Sequence, residues 1–66
     1  APNHAAAHQN LGVALFKLGQ LPEALQAFRR AIALYEASDP ATADSLRQGV
    51  TRLGIPPALL AQAGLN

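Results

Sequence analysis

Two histidines, His4 and His8, stand four residues apart near the amino end. On a helix that spacing sets both imidazoles on one face, the arrangement with which a protein clips a metal ion. The sequence puts no third ligand beside them: Ala5, Ala6 and Ala7 lie between, and there is no cysteine. Neither a metal site nor any other cofactor is expected. Nucleophilic chemistry has little more to work with. Ser38, Thr42, Ser45 and Thr51 are the hydroxyls besides Tyr35, and Glu23, Glu36, Asp39 and Asp44 are the acids. Asp39 is accounted for as a helix cap and Glu23 by the positive end of a helix dipole. No glycine-rich phosphate loop occurs, and a short helical chain encloses little concave volume from which water could be excluded. The sequence does not describe an enzyme. The chemistry left to it is surface recognition.

The elements that would carry such a surface follow from composition and punctuation. With 66 residues the chain has room for one small domain, and such a chain buries only about 60% of its unfolded surface. Half of the residues are hydrophobic and only 14% are charged, against a usual charged share of about 25%. Alanine and leucine dominate the apolar share, as helix-on-helix packing requires, and the shortage of charge suggests that another molecule covers part of the surface. The net charge is +1, with Lys17, Arg29, Arg30, Arg47 and Arg52 spread over three segments. That is no basic stripe, so no nucleic-acid partner is expected. No apolar run approaches the ~20 residues of a membrane span, so no membrane partner is expected either. No signal peptide is visible, which favours the cytoplasm without fixing the compartment. The chain begins at alanine and reads as a piece of something longer.

Between His8 and Leu34 two apolar-periodic segments are joined by a break at Gly19-Gln20-Leu21-Pro22. Leu11, Ala14, Leu15 and Leu18 recur at spacings of three and four in the first; Ala24, Leu25, Phe28, Ala31, Ile32 and Tyr35 do so in the second. Both predict amphipathic helices, and so short a connection makes them antiparallel. The first helix is expected from about Ala5 to Leu18, after a lead-in with Pro2 and a capping Asn3, and Gly19 stops it. Pro22 opens the second, which runs to about Ala37, and Ser38-Asp39-Pro40 starts the next. A third helix, about Pro40 to Leu53, carries Ala43, Leu46, Val50 and Leu53 on one face, with Asp44 and Arg47 paired on the solvent side. Gly54-Ile55 then reads as a Schellman-type stop, with Ile55 folding back on Val50. Pro56-Pro57 leads into a short last helix, about Pro57 to Ala63, which Gly64-Leu65 ends. The prediction is all-α, with four helices.

Small and large residues alternate in register through this stretch. Gly12 and Ala24 let two backbones approach, Phe28 fills the gap they leave, and Ala31 permits a second close contact. The order Leu11-Gly12, Leu15, Gly19, Ala24, Phe28, Ala31 resembles the tetratricopeptide repeat. Two positions depart from that pattern: His8 replaces the usual aromatic, and Glu36 the usual proline. The later stop at Asp39-Pro40, followed by DPATADSL, is similar to the longer, kinesin-light-chain-like variety of the repeat. Pro2, Ala5 and Gln9-Asn10 match Pro40, Ala43 and Arg47-Gln48 at a shift of 38 residues. In that register the turn glycine would fall at Pro56-Pro57. The resemblance implies an antiparallel helix-hairpin repeat, a fragment of an α-solenoid. Residues 5–38 would form the first repeat, 39–54 the first helix of a second, and 55–66 a capping helix.

In such arrays the first helices of successive repeats line a concave groove. The resemblance would put Ala6, Gln9, Val13, Phe16 and Lys17 there, with Asn10 at the edge, and Asp44, Arg47, Gln48 and Thr51 from the third helix. Amide side chains suit a groove of this kind, because each donates and accepts and can satisfy an extended peptide backbone. The clamp that some relatives use for chaperone carboxyl termini is not supported, since its lysine and asparagine positions hold Gln9 and Val13. The expected role is a module binding a protein or peptide partner. The alternative is a structural, self-associating or solenoid-capping segment, with a homo-oligomer formed through Val13, Phe16, Val50 and Leu53 or by exchange of the third helix. Repeats of this kind bury their faces on neighbours, and about three are wanted for stability.

Overall fold

The computed structural model describes residues 4–65, so Pro2 and Asn3, the expected lead-in and cap, lie outside the described residues. Four helices follow one another: α1 His4–Lys17, α2 Leu21–Ser38, α3 Pro40–Thr51 and α4 Pro57–Gln62. No strand occurs among the described residues. The all-α expectation holds, with ends shifted by one or two residues as fraying helices allow.

The stops are chemical. Gly19 adopts φ +81°, which costs glycine nothing for want of a Cβ. Its N–H donates to the Phe16 carbonyl at 3.0 Å and the Gln20 N–H to the Leu15 carbonyl at 2.9 Å, a Schellman pair that satisfies two orphan carbonyls. Gly64 and Leu65 repeat the pair on Ala61 and Leu60, at 3.0 and 2.8 Å. At Gly54 the φ is also left-handed, +79°, while the preceding carbonyls of Gln48, Gly49 and Val50 are taken by the N–H groups of Arg52 and Leu53.

The helix α2 lies at the centre. Ala24, Leu25, Phe28 and Ile32 from it meet Ala43 and Val50 of α3, then Ile55, Leu60 and Leu65 of the carboxyl-terminal segment. Against α1 the fit is set by one contact. A Cβ built on Gly12 would lie 2.9 Å from the Phe28 ring, so only glycine lets the buried phenyl come this close to the α1 backbone. Ala5, Ala27 and Ala31, all buried, extend this close approach.

That contact corrects the reading of α1. The face turned to α2 holds Ala5 and Gly12, with Leu15 and Phe16 packed on the core. Leu11 and Leu18, placed by periodicity on the apolar stripe, are 50% and 72% exposed, and Ala14 is exposed with them. Gly12 facing Phe28 turns position 11 away by roughly 100° about the helix axis. In the second half α3 keeps the 38-residue register, since Ala5 and Ala43 are both buried, as are Gly12 and Val50, but the turn after it comes earlier. Gly19 and Gly54 share the left-handed conformation, Pro22 and Pro57 each stand in the first turn of a helix, and Leu25 and Leu60 are both buried. The turn glycine therefore recurs at Gly54, 35 residues on, and not at Pro56-Pro57. The segment from α3 through Gly54 to α4 has the order of a second hairpin whose second helix is cut to 6 residues against 18 in α2. Val50, expected to be only partly covered, is buried, whereas Leu53 at 38% exposure stays outside. The Ile55 side chain returns to the Val50 cluster and buries, which completes the cover on Val50.

Candidate interaction surface

Of the ten residues expected to line a groove, Ala6 is half-buried on α1 and the other nine divide into two sets. Three are engaged within the fold. Gln9 is half-buried, and its Oε1 accepts a hydrogen bond from the Tyr35 hydroxyl at 3.1 Å, tying α1 to α2. Phe16 is half-buried against the core. Arg47 donates to Glu36 at 2.6 Å and to Asp44 at 3.2 Å, so its guanidinium bridges α2 and α3. The Asp44 pairing follows from their spacing of three. The Glu36 contact joins residues 11 apart in sequence and has no signal in helical periodicity. All three charges are substantially exposed, and water screens most of what they gain.

The second set faces solvent: Asn10, Val13 and Lys17 on α1, with Asp44, Gln48 and Thr51 on α3. Of these, Thr51 already spends its hydroxyl proton on the Gln48 carbonyl at 2.8 Å. The amides of Asn10 and Gln48, the ammonium of Lys17 and the isopropyl of Val13 are left to meet a partner. They offer hydrogen bonds in both directions, one positive charge and one apolar contact, which suits an extended backbone and its side chains. They offer no nucleophile with a base beside it.

Away from that side, a shallow depression of about 470 Å³ lies over Gln26, Arg29, Arg30 and Ala33 of α2. Another of about 240 Å³ runs between α2 and α4, past Arg29, Leu59 and Gln62. Both are open to solvent and neither gathers a catalytic set. Among the described residues no three metal-ligating side chains come together, and no helix is long and apolar enough to cross a membrane. The Asp39 carboxyl has a displaced proton affinity. The Thr42 hydroxyl, 2.6 Å away, and the Thr42 N–H, 3.3 Å away, hold it below its ordinary pKa of 3.8. This is the α3 cap, a structural role.

Comparison with known proteins agrees with the geometry. The tetratricopeptide repeat family model matches residues 5–37, half of the chain and the α1–α2 hairpin but for one residue at each end. A TPR repeat-containing protein of Synechococcus elongatus is 43% identical over 54 residues, which cover 82% of this chain and 13% of that relative. The chain thus spans a small part of the curated relative it matches. No solved structure matches it.

Proposed function

The chain belongs to the tetratricopeptide-repeat family, and from that premise we propose that it is a protein–protein interaction module that binds an extended peptide or partner helix along the α1–α3 side. The observation that carries this reading is the division just described. Gln9, Phe16 and Arg47 hold the two helices in place, while Asn10, Val13, Lys17 and Gln48 are left exposed between and beside them. The 18-residue length of α2 and the stop at Asp39-Pro40 support the kinesin-light-chain-like variety of the repeat. A structural reading has its own support. Burial of Ile55, Leu60 and Leu65 closes the carboxyl-terminal side of α2, as a solenoid cap would.

A peptide library displayed on phage and panned on the folded chain tests the first reading. Enriched sequences should bind the wild type and lose at least about tenfold in affinity, ~1.4 kcal/mol, to a Val13→Asp, Gln48→Ala double variant. Amide NMR shifts on titration should centre on Asn10, Val13, Lys17 and Gln48. Shifts confined to the outer face of α2, or no enrichment, would leave the capping role as the function.

A further inference from the structure

We propose that the outer face of α2 is a second binding site, at which Arg29 and Arg30 receive the carboxylates of an acidic segment of a partner protein. The residues concerned share no member with the α1–α3 set, so the inference stands apart from the functional reading above. It starts from how the chain distributes its four acids. Arg47 holds two of them, Glu36 at 2.6 Å and Asp44 at 3.2 Å, and Asp39 is engaged in capping α3. Arg29 and Arg30 form no ion pair among the described residues. Glu23, the acid that remains, lies in the first turn of α2, six and seven residues before them and so about 9–10 Å away along the axis. Both guanidiniums nevertheless stand over concave surface. They line the depression of about 470 Å³ on α2, and Arg29 also lines the one of about 240 Å³ between α2 and α4. Gln26 and Arg29 belong to both, so the two hollows run into one track, and no acid lines either. Arg29 reaches across this track. Its Nε lies 3.9 Å from where a Cβ on Gly64 would stand, at the turn that ends α4.

The chemistry of the lining chooses the occupant. A guanidinium donates two parallel N–H bonds to one carboxylate, and an amide beside it adds a further donor. Arg29 has Gln26 on its own helix and Gln62 across the cleft. Leu59 and Ala63, both half-buried, give the smaller hollow an apolar wall. A carboxylate with an aliphatic neighbour matches that division, its charge at Arg29 and its carbon on Leu59 and Ala63. A free inorganic anion would use the donors alone and leave the wall wet. Openness argues the same way. A small ion in an open hollow stays in water, where charges attract weakly, whereas a segment crossing both hollows excludes water and strengthens the pairing. Nucleic acid and anionic lipid call for a longer row of cations, about four to eight Lys and Arg for a lipid surface. Here no third basic side chain lines the track. The occupant is therefore a peptide segment with two acidic residues followed by aliphatic ones, the acids on Arg30 and Arg29 and the aliphatic end toward α4.

The probe is a peptide of two glutamates followed by two leucines, acetylated and amidated, titrated to about 1 mM into the isotope-labelled chain. Amide NMR shifts should saturate and centre on Gln26, Arg29, Arg30 and Gln62. An Arg29→Gln, Arg30→Gln double variant should bind at least about tenfold more weakly while circular dichroism shows an unchanged melt, since both side chains are exposed. A Lys17→Gln, Arg52→Gln variant loses the same charge elsewhere and should lose far less. Raising salt from about 0.1 M to about 1 M shortens the screening length from about 10 Å to about 3 Å and should weaken binding several-fold. The Val13→Asp, Gln48→Ala variant should bind this peptide as the wild type does, so that either site can fail without the other. No saturable shift on the outer face of α2 would overturn the proposal. Equal binding of a peptide with glutamine in place of glutamate would do so too, as would equal losses in the Lys17, Arg52 variant. Sodium phosphate producing the same shifts at the same concentration would reduce the site to a small-anion site. Pelleting with phosphatidylserine vesicles, with no binding of the peptide, would give the face to a membrane. Either result also overturns the reading.

Discussion

The two outer sides of α2 end differently. On one side α1 lies against Phe28 and turns Leu11 and Leu18 outward, 50% and 72% exposed. On the other side α3 has Leu46 packed on the core beside Ala43 and Val50, and Leu53 less exposed at 38%. Both helices turn a buried pair to α2, Ala5 and Gly12 on α1 and Ala43 and Val50 on α3, but α1 leaves more leucine outside. A repeat hairpin has two apolar faces and buries one by itself. The chain after Thr51 shows how the second half is finished: Gly54 turns, Ile55 folds in, and Leu60 and Leu65 supply the missing apolar cover.

The largest effect should come from what both sides share. Phe28→Ala removes the ring that seats Gly12 and lines the central cluster, and should cost about 3–5 kcal/mol. That is most or all of the stability of so small a domain, so thermal unfolding followed by circular dichroism should lose its cooperative transition. A melt close to wild type would mean that α1 is not anchored where the contact with Gly12 places it.

A matched pair of substitutions isolates the difference between the sides. Leu60→Ala, in the buried cover, should cost about 2–5 kcal/mol, whereas Leu18→Ala, on the open face, should stay within about 0.5 kcal/mol in dilute monomer. Urea melts of the two variants side by side measure this. Equal losses would erase the asymmetry.

Glycines sharpen it further. Gly12→Ala drives a methyl to 2.9 Å from a ring that is itself packed, and overfilling of this sort should cost about 1–3 kcal/mol. At Gly49 on α3 an added Cβ meets nothing within 4 Å and φ is helical, so Gly49→Ala should stabilise by about 0.5–1 kcal/mol. The second glycine marks slack, not a close approach. Opposite signs in the two melts are the expected result.

The smallest effect concerns the join between the sides. The native Asp39 carboxyl is held below its ordinary 3.8, chiefly by the Thr42 hydroxyl and then by the Thr42 N–H. A depressed native pKa contributes stability above the unfolded value and loses it as pH falls through the native one. The melting temperature of the wild type should therefore decline slightly on acidification from about pH 5 to pH 2, and Asp39→Asn, which caps without titrating, should remove that part of the slope.

How much of this was legible in the sequence varies by residue. Gln9 and Arg47 were readable as polar groups on the right side, but their engagement with Tyr35 and Glu36 joins residues 26 and 11 apart. No local spacing reports such pairs. The exposed members of the set, Asn10, Val13, Lys17 and Gln48, needed only helix phase once α1 had been placed.

What the sequence determined by itself is whatever depends on neighbours along the chain. Gly19, Gly54 and Gly64 stop helices because only glycine takes a positive φ without strain, and Asp39-Pro40 starts one because a carboxylate caps and proline lacks the N–H that would be orphaned. The alternation of small and large residues also fixed that Gly12 and Phe28 should meet. Tertiary structure decided the rotation of α1. Leucine and alanine nearly encircle α1, so periodicity admits two apolar faces of similar strength. Only the volume of the Phe28 ring against a bare backbone selects Gly12 for the interior and sends Leu11 and Leu18 outside.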